Sequence, residues 1–323
     1  MLVLLRYELL LIILMYSFSL LFSQTISDEY EEYINVVVFN NKDEKYVPHI
    51  KKELAKAIVK FQFDVKSFPD IEVTINIAPD KATYREWTND KEVVFENSNG
   101  FADLRNNQIY INNPRYLGDN KSLIRLLLHE YIHLFINYHW KDAPLWFHEG
   151  MAMYFTGSIS INHIFRFTTN NALHSNYLLT KYAYEYPKNR AEIEPYYFQA
   201  ALLIKKIVDD DKQRLYNLFE ISTQYSTFNS AFEVAFKENH EDFLTSFEDY
   251  TKAFLKINIY KGIILFTWLS FPIILIIAKF KKNHKTRKLL ERWEIDEIKE
   301  EIEAFCMQEM EYENEKTVKN TVK

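Results

Sequence analysis

The chain has 323 residues, a net charge of -6, and a composition that is 48% hydrophobic and 16% aromatic. The acidic balance gives no reason to expect nucleic acid as a partner, and five glycines argue against Gly-rich phosphate loops. A single cysteine leaves no disulfide framework to read.

In chain order, Leu9 to Phe22 is almost wholly apolar with Arg6 ahead of it. That is the pattern of a secretory signal peptide or signal anchor over residues 1–24. Ser23 before Gln24 gives a cleavage position, and no cysteine stands there to carry a lipid. An extracytoplasmic domain is expected over residues 25–258, sizeable enough to fold on its own core without disulfides. Ile34 to Phe39 is β-like, and His49 to Phe63 carries Ile50, Leu54, Ile58 and Phe61 at helical spacing. Ile71 to Ile77 alternates as a strand, and Tyr84 to Trp87 reads as a short helix. Gly100 to Asn112 reads as a hairpin with Asn106-Asn107 at its turn.

The next helix holds the most informative residues. Asp119 or Asn120 serves as N-cap to an apolar run, Leu123 to Leu128, which continues through His129-Glu130-Tyr131-Ile132-His133 to Ile136. Residues i and i+4 share a helix face, so His129 and His133 can grip one metal. Glu130 then points beside the metal, where a base acting on water belongs. A catalytic zinc takes three protein ligands and keeps a fourth position open, and Glu149 in Pro144-Leu145-Trp146-Phe147-His148-Glu149-Gly150 is the candidate third ligand. Zinc lowers the pKa of bound water to about 7, and Glu130 can relay its proton to a leaving amine.

These segments, with the continuation Met151-Ala152-Met153-Tyr154-Phe155, resemble the gluzincin metallopeptidases. The nearest group is the peptidase MA-like family, relatives of thermolysin and aminopeptidase N. The resemblance covers residues 70 to 220. It implies an α+β, zincin-like fold and zinc-dependent hydrolysis of peptide bonds, with His129, His133 and Glu149 as ligands and Glu130 as base. It also implies that the strand near Gly100 to Asn112 lines the cleft beside extended substrate; a plain edge strand is the alternative. In the aminopeptidase group a Y-x-x-G or Y-x-x-A segment supplies a tyrosine that stabilises the oxyanion. Tyr197 matches through Ala200, and Tyr196 matches in the alternative alignment on Pro195. One departure stands out. Thermolysin-like relatives carry a carboxylate four residues after the glutamate ligand, where this chain has Met153. His148 reads as cleft-lining or solvent-facing, and His139, His163 and His174 have no ligand spacing.

Gly157 to Lys188 is irregular and aromatic-rich, a lid or a connection of short helices, and Tyr196 to Phe254 is helical in pattern. Gly262 to Ala278 is free of charge, and with its flanks reaches the roughly 20 residues that span a bilayer. A membrane helix is therefore expected over residues 260–280. Lys279, Lys281, Lys282, Lys285, Arg287 and Lys288 follow at once, which places the tail, 281–323, in the cytoplasm and the peptidase domain outside. Leu290, Trp293, Ile295, Ile298, Ile302 and Phe305 form an amphipathic stripe in that tail, and order is expected to end near Asn314. The expected function is a membrane-anchored zinc metallopeptidase acting on exported proteins or peptides. The alternatives are a catalytically silent cell-surface binding protein on the same fold, and a zinc hydrolase of a non-peptide substrate.

Overall fold

A computed structural model of the protein describes residues 27–89, 98–159, 167 and 178–321. The signal segment expected over residues 1–24 lies outside these, as do His163 and His174 and most of the irregular stretch after Gly157. The chain divides into two units, Met1–Leu255 and Lys256–Lys323.

The first unit joins a four-stranded mixed sheet to a set of helices. The strands are β1 (Ile34–Val38), β2 (Val73–Ile77), β3 (Gly100–Asp103) and β4 (Gln108–Ile111), in the order β1-β2-β4-β3. β1 pairs parallel with β2, and β2 with β4, while β3 runs antiparallel along β4 with Gly100 opposite Ile111. The β3–β4 turn closes as the sequence suggests. Asp103 accepts from the Arg105 amide and the Asn106 side chain, and Asn107 adopts the left-handed conformation that asparagine tolerates. β3 and β1 are the two edge strands.

Helix α1 (Val47–Val65) starts with Pro48 in its first turn and ends on left-handed Lys66. Its buried face, Ile50, Leu54, Ile58 and Phe61, packs toward α3 (Asn120–His139), where Phe61 meets Phe135 at 4.9 Å between ring centres. Between β2 and β3 lies α2 (Lys81–Asn89). Asp119, not Asn120, caps α3, accepting from the Ser122 amide at 2.7 Å. The α1-facing side of α3 also holds a buried polar knot. The Tyr30 hydroxyl donates to the Pro69 carbonyl at 2.8 Å, so Tyr131 donates to Tyr30 at 3.1 Å, and Gln62 donates to Tyr30 at 2.7 Å. These bonds tie α3 to α1 and to the helical turn at residues 27–30.

The remaining helices are α4 (Leu145–Phe155), α5 (Leu178–Lys181), α6 (Arg190–Glu220, kinked at Asp211), α7 (Phe228–Phe236) and α8 (His240–Thr321). Trp140, Trp146, Phe147, Phe219, Phe228 and Phe232 form an aromatic core between α3, α4, α6 and α7. Asp142, in the link from α3 to α4, accepts from the first amide of α7 at 3.0 Å, which fixes that link.

His139 closes the C-terminal end of α3. The Ser222 hydroxyl donates to the Phe219 carbonyl, so His139 Nδ1 donates to Ser222 at 2.8 Å and Nε2 accepts from Ser67 at 3.1 Å. Burial lowers its pKa to about 4. The unfolded chain therefore takes up this proton first as pH falls. The stabilisation is complete above about pH 6.5 and is lost as pH drops toward the folded value. A loss on the order of 2 kcal/mol is expected by pH 4. His139→Gln should flatten this limb of a stability–pH curve; a curve of wild-type steepness would show that His139 does not contribute.

The second unit continues α8. The sequence reading separates a span from a tail helix, but the helix runs unbroken to Thr321, beyond Asn314. The lysine-rich junction is a run of good helix formers with no glycine or proline to stop it. Among the described residues α8 is the one helix long and apolar enough to cross a membrane, and the apolar window has no protein cover. The hydroxyls of Thr267 and Ser270 donate to the carbonyls of Ile263 and Thr267, so the run exposes few unsatisfied polar groups.

Candidate metal site

Three side chains from two helices converge at one point. His129 and His133 project from the same face of α3, with ring centres 4.9 Å apart. Glu149 projects from α4. Its Oε2 lies 3.5 Å from His129 Nε2 and its Oε1 lies 3.8 Å from His133 Nε2. One ligating atom from each residue lies within 4.8 Å of the others, so the trio could hold a metal ion. Glu149 is 2% exposed, and its Oε2 is buried with no hydrogen-bond partner. A buried carboxylate that faces two imidazole nitrogens with one oxygen orphaned is costly unless a cation completes it.

The packing that sets this geometry centres on Gly150. A Cβ there would stand 2.6 Å from the Ala200 carbonyl oxygen and 2.8 Å from Ile204. The bare glycine lets α4 press against α6, so Glu149 and Tyr197 sit on neighbouring backbones.

Electrostatics favour ligation. Burial pushes Glu149 upward, but His133 and His129 outweigh it and hold the carboxyl down at about 2. Burial lowers His133 to about 3 and His148 to about 4, against the opposing charge of Glu149. At His129 burial works downward, but the close approach of the Glu149 carboxylate and the charge of Glu130 win and raise it. Ionised carboxylate and neutral imidazole are the ligating forms, and a proton held at His129 is one that a cation displaces.

Glu130 lies beside the trio and does not join it. It is 6% exposed, and burial, assisted by Glu149, raises its pKa to about 7 against His129 and a hydrogen bond from the Ala102 backbone. That backbone belongs to edge strand β3. The strand is held to α3 by Asn137, whose side chain donates to the Leu104 carbonyl at 2.9 Å.

All four residues open on a cleft of about 1560 Å³, walled by β3, α3, the start of α4 and the loop before α6. Tyr197 lines this cleft. Tyr196 is fully buried and turned away, donating to the Tyr182 carbonyl at 3.0 Å. The helical phase of α6 thus puts one phenol in the cleft and its neighbour in the core. His148 lines the cleft 5.6 Å from the His133 ring, and Met153 is buried.

Tyr186 is a site residue that sequence reasoning did not single out. Its hydroxyl donates to Glu149 Oε1 at 2.7 Å. It sits in an irregular loop, in a chain with 22 tyrosines, so neither periodicity nor composition marks it. The loop is pinned at the mouth of α4, where the Leu145 amide donates to the Ala183 carbonyl at 2.8 Å.

No protein-family model matches this chain, and no curated protein matches it.

Proposed function

We propose that the protein is a membrane-anchored zinc metallopeptidase of the gluzincin type, with a zincin-like catalytic domain outside the membrane and a cytoplasmic tail. The observation that carries this reading is the buried Glu149 carboxylate, one oxygen orphaned, set against His129 and His133, with Glu130 beside it in the same cleft. Two imidazoles and one carboxylate make a donor set that suits catalytic zinc.

His129, His133 and Glu149 would hold the metal, and zinc there supplies Lewis acidity toward a carbonyl and toward water. Glu130 takes a proton from the attacking water and delivers it to the leaving amine. Its burial favours the neutral form, and an adjacent dication restores the ionised form that a base needs. Tyr197 stays protonated, because burial and then the charges of Glu149 and Glu130 raise its pKa well above the ordinary phenol value. A protonated phenol lining the cleft can donate to the oxyanion. Edge strand β3 walls the cleft, where an extended peptide can lie along it.

The test is zinc-loaded full-length protein in detergent on a diverse library of unstructured peptides, read by mass spectrometry. Chelator-sensitive cleavage restored by zinc is expected. Stoichiometric zinc without cleavage of any peptide would overturn the reading.

Tyr186 contributes by steering Glu149. Outer contacts of this kind are typically worth ten- to hundredfold in metal affinity. Tyr186→Phe is expected to weaken zinc binding by about tenfold in competition with a chromophoric chelator. Unchanged affinity would show that the hydrogen bond is incidental.

A further inference from the structure

The charge of the cleft runs against that of the chain. The protein carries -6 overall. Apart from Glu130 and Glu149, the cleft is lined by four cationic side chains, Arg105, Arg125, Lys141 and Lys188, and two acidic ones, Asp103 and Glu194. The two sets differ in how they are engaged. Asp103 accepts from the Arg105 amide and the Asn106 side chain, and both acids make further contacts. Among the described residues, none of the four cationic side chains has an ion-pair partner within 4.0 Å.

Their placement brackets the metal. Arg125 precedes His129 by one helical turn on the metal-facing side of α3, about 6 Å along the axis. It is partly buried, between the cleft and a shallow groove beside His49 and Glu53. Lys141 stands just past the C-terminal end of the same helix, and Arg105 lies in the turn that closes edge strand β3. A peptide laid along β3 across the metal would pass cations on both sides of its scissile bond.

We propose that the cleft takes acidic peptides, with Arg125 binding an Asp or Glu carboxylate next to the bond that is cut. This rests on the peptidase reading and names its substrate class. A guanidinium is the group best matched to a carboxylate, through paired N–H donors. A partly buried one with no ion-pair partner is prepared for that contact. Lys141, Lys188 and Arg105 add a field that steers acidic segments inward and weakens with salt.

The experiment uses full-length, zinc-loaded Glu130→Gln in detergent as a non-cleaving trap. Fluorescent peptides identical except for Glu, Gln or Lys at the positions flanking one bond are titrated by anisotropy. The Glu peptide is expected to bind about tenfold tighter than the Gln peptide and tighter still than the Lys peptide. Raising salt from about 0.05 M to about 0.5 M should narrow the gap. Adding Arg125→Gln should bring the Glu peptide to the level of the Gln peptide while zinc content stays at wild type. Equal binding of all three peptides, or a preference for Lys, overturns the acidic-substrate inference even where the library is cleaved. A full preference retained by Arg125→Gln overturns the role of Arg125. No peptide bound and no library cleavage overturns the peptidase reading itself.

Discussion

Glu130→Gln is expected to lower peptide cleavage by about 10²–10⁴-fold, the usual contribution of a positioned general base, while zinc content stays unchanged. Glutamine keeps the shape of the side chain and can still accept from the Ala102 backbone, so the cleft persists. It cannot take a proton. His129, His133 and Glu149 are untouched, and the loss falls on the chemical step. A second consequence separates this result from misfolding. The folded chain raises the Glu130 pKa to about 7 because the carboxyl is buried beside Glu149. The folded state therefore favours the protonated acid. The stability this confers is complete below the unfolded value of about 4.3 and is lost as pH rises through 7. Above that pH the zinc-stripped protein carries a buried charge at a cost on the order of 2 kcal/mol. Glu130→Gln removes that charge. In chelator at pH 8 the variant should melt higher than wild type, though it is inactive when loaded. A variant that is inactive and also melts lower would point to structural damage and not to a lost base.

Gly150→Ala should be the most damaging glycine-to-alanine change among the described glycines. The added Cβ would stand 2.6 Å from the Ala200 carbonyl oxygen and 2.9 Å from its carbon. Backbone cannot swing aside as a side-chain tip can, so α4 and α6 must part. Overpacking of this kind costs about 3 kcal/mol, well above the roughly 1 kcal/mol that alanine gains over glycine in a helix. Net of that gain, the melting temperature should fall by roughly 4–8 °C for a domain of this size. Zinc affinity should fall with it, because Glu149 moves relative to the histidines. Gly262→Ala is the control: beyond its own stretch of helix, no atom lies within 4 Å of a Cβ at that position, and the substitution should not lower the melting temperature. A Gly150→Ala protein with wild-type melting temperature would mean that the helices are not in this close contact.

These two residues show how unevenly the site is written in the sequence. The histidine pair and Glu130 are legible because helical periodicity alone puts i and i+4 on one face, and the apolar run around them marks the helix. The β3–β4 hairpin is legible through its asparagine turn, and the apolar part of α8 through its composition. What depends on contact between distant elements is not. The spacing to Ala200 favours Tyr197 over Tyr196 on paper, but only the phase of α6 against α4 decides which one enters the cleft. Tyr186 reaches Glu149 from a loop without periodicity. The amide of Ala102 is backbone and carries no side-chain signature. Gly150 is one of five glycines, and only its distance to Ala200 shows that a methyl cannot fit. The continuity of α8 past residue 280 also escapes a reading that divides the chain by polarity, since a change from apolar to charged residues moves the surroundings of a helix without ending it.

The most direct test of the central claim is the metal content of the purified full-length protein, by elemental analysis after exhaustive exchange into buffer containing trace zinc, with His133→Ala beside it. One zinc per chain in the wild type, and loss of it in His133→Ala, is the predicted result. Absence of zinc from the wild type, or equal zinc in both proteins, would contradict a metal centre built on His129, His133 and Glu149.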